Sequence, residues 1–212
     1  MKVLKFTLIA DGSSDKTLLR IIKWSLDNLY PKLPNEGYYA DFRTLPDPPK
    51  GLENKVAKAI IYYPFNILFI HRDAETISPK IINKRIEEIR AKLQEKDFER
   101  TICIVPIKMM ETWLLFDLEA IKKAAGNRNY KGVLDIPQIK SVENEQQPKK
   151  LLHELLKEAS GLKGRNLKKF NTDKAVHLVA ENIEDFSPLR ILSAFQEFEK
   201  KIKLVVDRFI SE

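Results

Sequence analysis

The sequence predicts an α/β protein, a parallel sheet flanked by helices and continued by a mostly helical C-terminal part. Three observations predict it. Apolar runs of strand length, VLKFTLIA over 3–10, FNILFI over 65–70 and TICIVPI over 101–107, each stop at a polar cluster; such near-continuous runs are how strands covered on both faces read. The segments between them carry apolar residues at helical spacing, the alternation of a doubly wound sheet. Beyond residue 126 the character changes to polar connections and helical patterns alone. A division follows into an α/β domain over 1–126 and a helical extension over 127–212 that packs on it.

The first strand ends at Asp11-Gly12-Ser13-Ser14-Asp15, and a helix begins at Thr17. Gly12 permits the turn, Ser13 or Ser14 suits the N-cap, and Asp15 suits the positive end of the helix dipole. Pro31 to Gly37 is a loop, Tyr38 to Arg43 a short strand, and Leu45 to Gly51 a Pro-rich connection. A helix over Leu52–Tyr63 must end before Pro64. Phe65–Ile70 is the central buried strand. Pro79 to Lys96 reads as one amphipathic helix, with Ile81, Ile82, Ile86, Ile89 and Leu93 on its inner face. After TICIVPI, in which Pro106 marks a strand end or edge, a helix is expected from Lys108 to Ala125. Helices are also expected over 149–159, over 172–182 and from Pro188 to Ile210. Ser187 and Pro188 form the entrance to the last.

The candidate chemistry lies where strands end, because ligands of open α/β sheets bind outside the carboxyl ends of the strands. His71-Arg72-Asp73-Ala74-Glu75 follows the central strand. Asp73 and Glu75, two apart, point to one side of an extended segment, a pair suited to a hard cation such as Mg²⁺. Asp11 ends the first strand and Glu111 opens the helix after TICIVPI. If these strands are neighbours, Asp11, Asp73, Glu75 and Glu111 face one crevice, with Asp11, Asp73 and Glu75 as metal ligands and Arg72 and Lys108 on phosphate oxygens. The same cations equally suit a structural ion-pair network around the acids. His71 suits a general acid or base, a ligand or a strand-capping hydrogen bond. Asp117 lies on another helical face from Glu111 and is left out of the site; His153 and His177 read as structural.

Composition bounds the rest. A formal net charge of +7 over 212 residues is compatible with a nucleic-acid or phosphate partner. The single cysteine, Cys103, rules out an intrachain disulfide and reads as a strand core residue, in keeping with a reducing compartment. No apolar run reaches the roughly 18–20 residues of a membrane span, and Met1–Phe6 runs straight into a strand pattern, so a cytoplasmic protein without membrane partners is expected. Gly161–Phe170, basic and free of acids, reads as a solvated connection or as a secondary contact to a nucleic-acid backbone. Walker-type and dinucleotide glycine loops, a nucleophile elbow and a Cys/His pair at useful spacing are all missing from the sequence.

The series strand, Asp11-Gly12-Ser13-Ser14-Asp15, helix, strand, Asp73-Ala74-Glu75 resembles the Toprim arrangement. In that arrangement a Glu-Gly turn and a later Asp-x-Asp pair build an Mg²⁺ site. Ile107–Leu115 (IKMMETWLL), Pro148–Leu152 (PKKLL) and Phe186–Leu189 (FSPL) are similar to a narrower group of prokaryotic Toprim-like proteins, often associated with phage-defence and mobile-element genes. The Toprim likeness covers roughly the first 125 residues. It departs from the pattern at Asp11, where Glu is usual, and at Glu75, where Asp is usual. The resemblance implies a Toprim-like Rossmannoid fold and an enzyme using Mg²⁺, or Mn²⁺, on phosphodiester bonds of DNA or RNA, a nuclease. In it Asp11 is the acid/base or metal position, Asp73 and Glu75 the metal pair, and Glu111 a further acid. The alternative is a non-catalytic, degenerate Toprim-like module that binds nucleic acid or a partner protein from the same locus.

Overall fold

In the computed structural model, which describes residues 2–12, 14–78 and 80–212, four strands form one parallel sheet. They are β1 (Leu4–Ile9), β2 (Asn35–Tyr39), β3 (Ile67–His71) and β4 (Thr101–Ile104), in the order β2-β1-β3-β4. From β1 the chain passes through α1 (Leu18–Leu29) to β2 on one side. It then returns through α2 (Leu52–Tyr62) to β3 on the other side of β1. The direction of winding therefore reverses between β1 and β3, the topological switch point at which open α/β sheets bind ligands. The α/β class, the parallel sheet and the helical C-terminal part expected from the sequence are all present.

The apolar runs explain the strands. β3 and β4 are buried along their whole length, as is β1 except at Lys5. β2 forms a half-exposed edge. It is displaced toward the N-terminus from the expected 38–43, because Leu4 pairs with Asn35 and Phe6 with Gly37. A Cβ at Gly37 would lie 2.3 Å from the Phe6 ring, so this pairing requires glycine.

Three expected helices are broken. Pro79 and Ser13, named above as a helix start and a cap, lie outside the described residues. The helix expected over 79–96 is α3 (Lys80–Arg90) and a separate turn α4 (Glu95–Phe98), divided at Gln94, whose extended backbone cannot continue a helix. The helix expected over 108–125 is a 3-10 turn at Met110–Leu114 followed by α5 (Leu118–Ala124). Asp117 caps α5, its carboxylate accepting the Ala120 N–H at 2.9 Å. The last helix is likewise a 3-10 turn at Ser187–Ile191 followed by α9 (Ser193–Ser211), with extended Leu192 between them. The remaining helices are α6 (Pro148–Ser160), α7 (Gly164–Lys168) and α8 (Thr172–Asn182).

α9 packs on β4, while α5, α6 and α8 pack together, with α8 also against the Ser14–Thr17 turn after β1. Sheet and C-terminal helices share one apolar cluster. Its aromatic chain starts in the sheet, with Phe6 against Phe69 at 5.4 Å and Phe69 against Phe198 at 6.3 Å between ring centroids. It continues through Trp113, 5.7 Å from Phe198 and 5.1 Å from Phe195. Cys103 is buried in β4, where burial pushes its thiol up to about 12. Among the described residues no helix is long and apolar enough to cross a membrane.

Candidate functional site

The backbone builds the site first. β3 and β4 end at His71 and Ile104, yet their pairing continues into the following loops. Arg72 N–H donates to Ile104 O at 3.0 Å, Ala74 N–H to Pro106 O at 3.1 Å and Glu75 N–H to Lys108 O at 2.8 Å; Lys108 N–H donates back to Thr76 O at 3.1 Å. Glu75 and Lys108 face each other in this stitch with φ of 62° and 61°, the two non-glycine residues in the left-handed region among those described. Left-handed backbone at non-glycine residues carries strain and gathers at ligand sites.

Three side chains, Asp15, His71 and Asp73, stand beside this frame as a row. His71, 3% exposed, places Nδ1 3.3 Å from Asp15 Oδ2 and Nε2 3.1 Å from Asp73 Oδ1. The Nε2 contact is short but out of line, which leaves that buried nitrogen without a hydrogen bond of proper geometry. Each carboxylate is also held by backbone: Asp15 Oδ2 accepts the Gly12 N–H at 2.9 Å, and Asp73 Oδ1 the Met110 N–H at 3.0 Å. Tyr39 Oη, from the end of β2, donates to Gly12 O at 2.8 Å. The row thereby ties the ends of all four strands. Burial disfavours the charged ring of His71, but the two carboxylates outweigh it and carry its pKa up to about 9. Burial likewise opposes the charge of Asp15, yet His71 and the Gly12 N–H bring its carboxyl below the usual range. Glu111 lies behind the row in the 3-10 turn after β4. Burial raises its carboxyl, with the charges of Asp73 and Asp15 adding to the effect and Lys149, Nζ at 3.9 Å, opposing it.

In front of the row opens a cleft of about 210 Å³ lined by Asp11, Asp15, His71, Arg72, Asp73, Glu75 and Arg85. It sits at the β1/β3 switch point. Of the residues expected from the sequence, Asp11, Asp73, Glu75 and Arg72 line it together. Glu111 is behind it, and Lys108 enters through its backbone. The rim carboxylates are already engaged. Asp11 Oδ1 lies 2.6 Å from Lys55 Nζ and Oδ2 3.2 Å from Arg72, and Glu75 Oε2 lies 2.9 Å from Arg85. Among the described residues no group of three or more His, Cys, Asp or Glu is placed to hold a metal ion. The acids expected to bind Mg²⁺ share one cleft without forming a closed ligand cage. The donor set still suits the ion in kind, since Mg²⁺ is commonly held by one or two carboxylates, with water and substrate phosphates completing its shell.

Sequence reasoning undervalued Asp15 and missed Lys55, Arg85 and Lys149. Asp15 had a signal, a carboxylate three residues after the turn glycine at a strand end. Lys55, Arg85 and Lys149 arrive from helices across the fold, and local spacing carries no trace of them. His177, on α8, bonds through Nδ1 to Thr17 Oγ1 at 2.8 Å and pins the turn that carries Asp15, which is a structural role.

Comparison of the chain with protein-family models, with curated proteins and with solved structures gives no match in any of the three.

Proposed function

We propose that the chain processes phosphodiester bonds of nucleic acid at the β1/β3 cleft, as an Mg²⁺-dependent nuclease of Toprim-like type. The observation that carries the reading is the gathering of Asp11, Asp15, Asp73 and Glu75 with Arg72 and Arg85 round one cleft at the switch point. Arg72, exposed and paired among the described residues with Asp11 alone, is the group that turns to phosphate oxygens; a guanidinium suits two of them at once. Asp73 is fixed by the Met110 N–H and His71, so its carboxylate meets a ligand without reorganising. Buried Glu111 holds a proton to higher pH than an exposed glutamate and is the acid reserve of the site. Mg²⁺, or Mn²⁺, would be held by Asp73 with Asp11 or Glu75, and when bound it polarises the phosphodiester and lowers the pKa of a coordinated water.

The test is cleavage of single-stranded and duplex DNA and RNA with Mg²⁺ or Mn²⁺. Asp73→Asn is expected to lower the rate at least about 100-fold. Equal cleavage by wild type and Asp73→Asn assigns the activity elsewhere and sinks the reading.

A second reading has its own observation. Asp11, Asp15, Asp73 and Glu75 each already have a basic partner in Lys55, Arg72, His71 or Arg85, a network that is balanced without a ligand. This is what a non-catalytic module binding nucleic acid or a partner protein requires. Nucleic-acid binding at low salt without turnover under any divalent cation decides for it.

A further inference from the structure

The C-terminal helices carry a row of cations that begins beside Glu111, behind the cleft. Lys149, in the first turn of α6, reaches back to within 3.9 Å of Glu111, and its charge also acts on Asp15. His153 and Lys157 follow at four-residue intervals along one line of the same helix. They are neighbours in effect as well as in spacing. Burial, then the charges of Lys149 and Lys157, hold the His153 ring below its ordinary value against the opposing Asp173. Among the described residues His153 Nε2 is buried without a hydrogen-bond partner. From Lys149 to Lys157 is eight residues, about 12 Å of helix.

α6 ends at Gly161 in the left-handed conformation, which turns the chain into Lys163, α7 and Lys169. Lys163, Arg165, Lys168 and Lys169 are all exposed, and the segment from Ala159 to Thr172 contains no acid. Among the described residues Lys157, Lys163, Arg165, Lys168 and Lys169 make no ion pair. Some cations elsewhere on the surface are paired, as in Lys23–Asp27, Arg43–Asp41, Arg90–Glu95 and Lys122–Glu119, and others are not; this stretch is set apart by four exposed cations in succession with no acid among them. An unpaired run of like charge costs self-repulsion, which an anionic ligand relieves.

We propose that Lys149, Lys157, Lys163, Arg165, Lys168 and Lys169 form a phosphate-backbone track, so that the ligand of the cleft is a polynucleotide rather than a nucleotide. This rests on the nucleic-acid reading of the cleft and extends it. At about 3.4 Å per nucleotide of a stacked strand, the α6 portion spans about four nucleotides, and the loop spans more. The row starts where Lys149 acts on Glu111 and Asp15, the acids behind and within the cleft, which favours a nucleic acid over a membrane surface, whose headgroups have no use for that cleft.

The test is binding without turnover, by fluorescence anisotropy in EDTA, using labelled oligothymidylates of four and sixteen nucleotides. The full chain is compared with the quadruple variant Lys163→Gln, Arg165→Gln, Lys168→Gln, Lys169→Gln. The expected result is a Kd for the 16-mer raised at least tenfold, an unchanged Kd for the 4-mer, and a salt slope for the 16-mer reduced by about 3 at roughly 0.7 per lost contact. An unaltered 16-mer Kd, no 16-mer binding by wild type, or tighter binding to phosphatidylcholine/phosphatidylserine vesicles than to the 16-mer overturns the proposal. Should the variant fail to fold, equal salt slopes of wild type for the two oligonucleotides overturn it, and a steeper slope for the 16-mer upholds it. The binding assay holds no divalent cation and reads no turnover, so it is independent of the cleavage assay. Loss of the cleavage reading therefore leaves the track standing, and loss of the track leaves cleavage standing.

Discussion

The middle and the carboxyl end of strand β3 are held in place by different physics. Its middle, at Phe69, is packed between Phe6 and Phe198 in the aromatic chain that joins the sheet to α9. Two residues later His71 is as deeply buried, but between the carboxylates of Asp15 and Asp73. Burial of Phe69 is stabilised by apolar area, which is indifferent to pH and salt. Burial of His71 is stable only while both neighbours keep their charge, because an unpaired buried charge is costly. A single strand thus joins a tolerant core to a conditional one, and the conditional end is the one that faces the cleft.

The largest expected effects test that contrast directly. Trp113→Ala, in the aromatic chain, is expected to cost about 3–5 kcal/mol. His71→Leu, which strands Asp15 and Asp73, is also expected to cost about 3–5 kcal/mol near neutral pH. The two separate on a pH series of urea denaturations. The Trp113→Ala cost stays level from pH 6 to 10, whereas the His71→Leu cost shrinks toward pH 10. Equal pH profiles for the two variants would break the comparison.

The wild type should show the cause of that difference. The folded pKa of His71, about 9, lies above the ordinary 6.5. Its contribution is therefore complete below about pH 6.5 and is lost as pH rises through about 9, an effect of order 1–3 kcal/mol. Asp15 has the opposite sign, since its folded pKa is lowered. Its contribution is present above about pH 4 and is lost as the pH falls through the folded value. Alkaline destabilisation that survives in His71→Leu would assign it to another group.

How much of this was legible in the sequence follows the same division. The apolar runs over 3–10, 65–70 and 101–107 each became a strand, because continuous apolar sequence has few other ways to be buried. The cleft was legible as a position, since Asp11, Asp73 and Glu75 follow strand ends and strand ends in such sheets meet. What the residues do there was less so. Asp15, read as a helix-dipole acid, became one arm of the His71 bridge and accepts the Gly12 N–H, while Asp11 points outward to Lys55. The missed helix breaks at Asp117 and Leu192 have local causes, a side-chain cap and an extended residue, that hydrophobic periodicity does not register. The pairing of Lys149 with Glu111 depends on tertiary packing and has no local signature.

Smaller substitutions sharpen the comparison. Gly37→Ala forces a Cβ toward Phe6 and is expected to destabilise by about 1–3 kcal/mol, an overpacking effect on the apolar side. Asp11→Asn, which loosens an exposed pair with Lys55 and Arg72, is expected to cost less than about 1 kcal/mol, in a thermal melt that 0.5 M salt reduces further. A large effect at Asp11 would move the rim of the cleft from the exposed class into the buried one.

The stitch between the loops after β3 and β4 also bears on time as well as place. Arg72, Ala74, Glu75 and Lys108 donate their amides to backbone carbonyls of the facing segment, from Ile104 at the end of β4 into the loops, as strand residues do, so these amides open only when the two segments part. In a hydrogen-exchange experiment they should be protected to nearly the depth of β3 itself, while amides of the α7 loop exchange fast. The floor of the cleft would then be slow and its approach quick, a rigid anvil reached by a mobile arm.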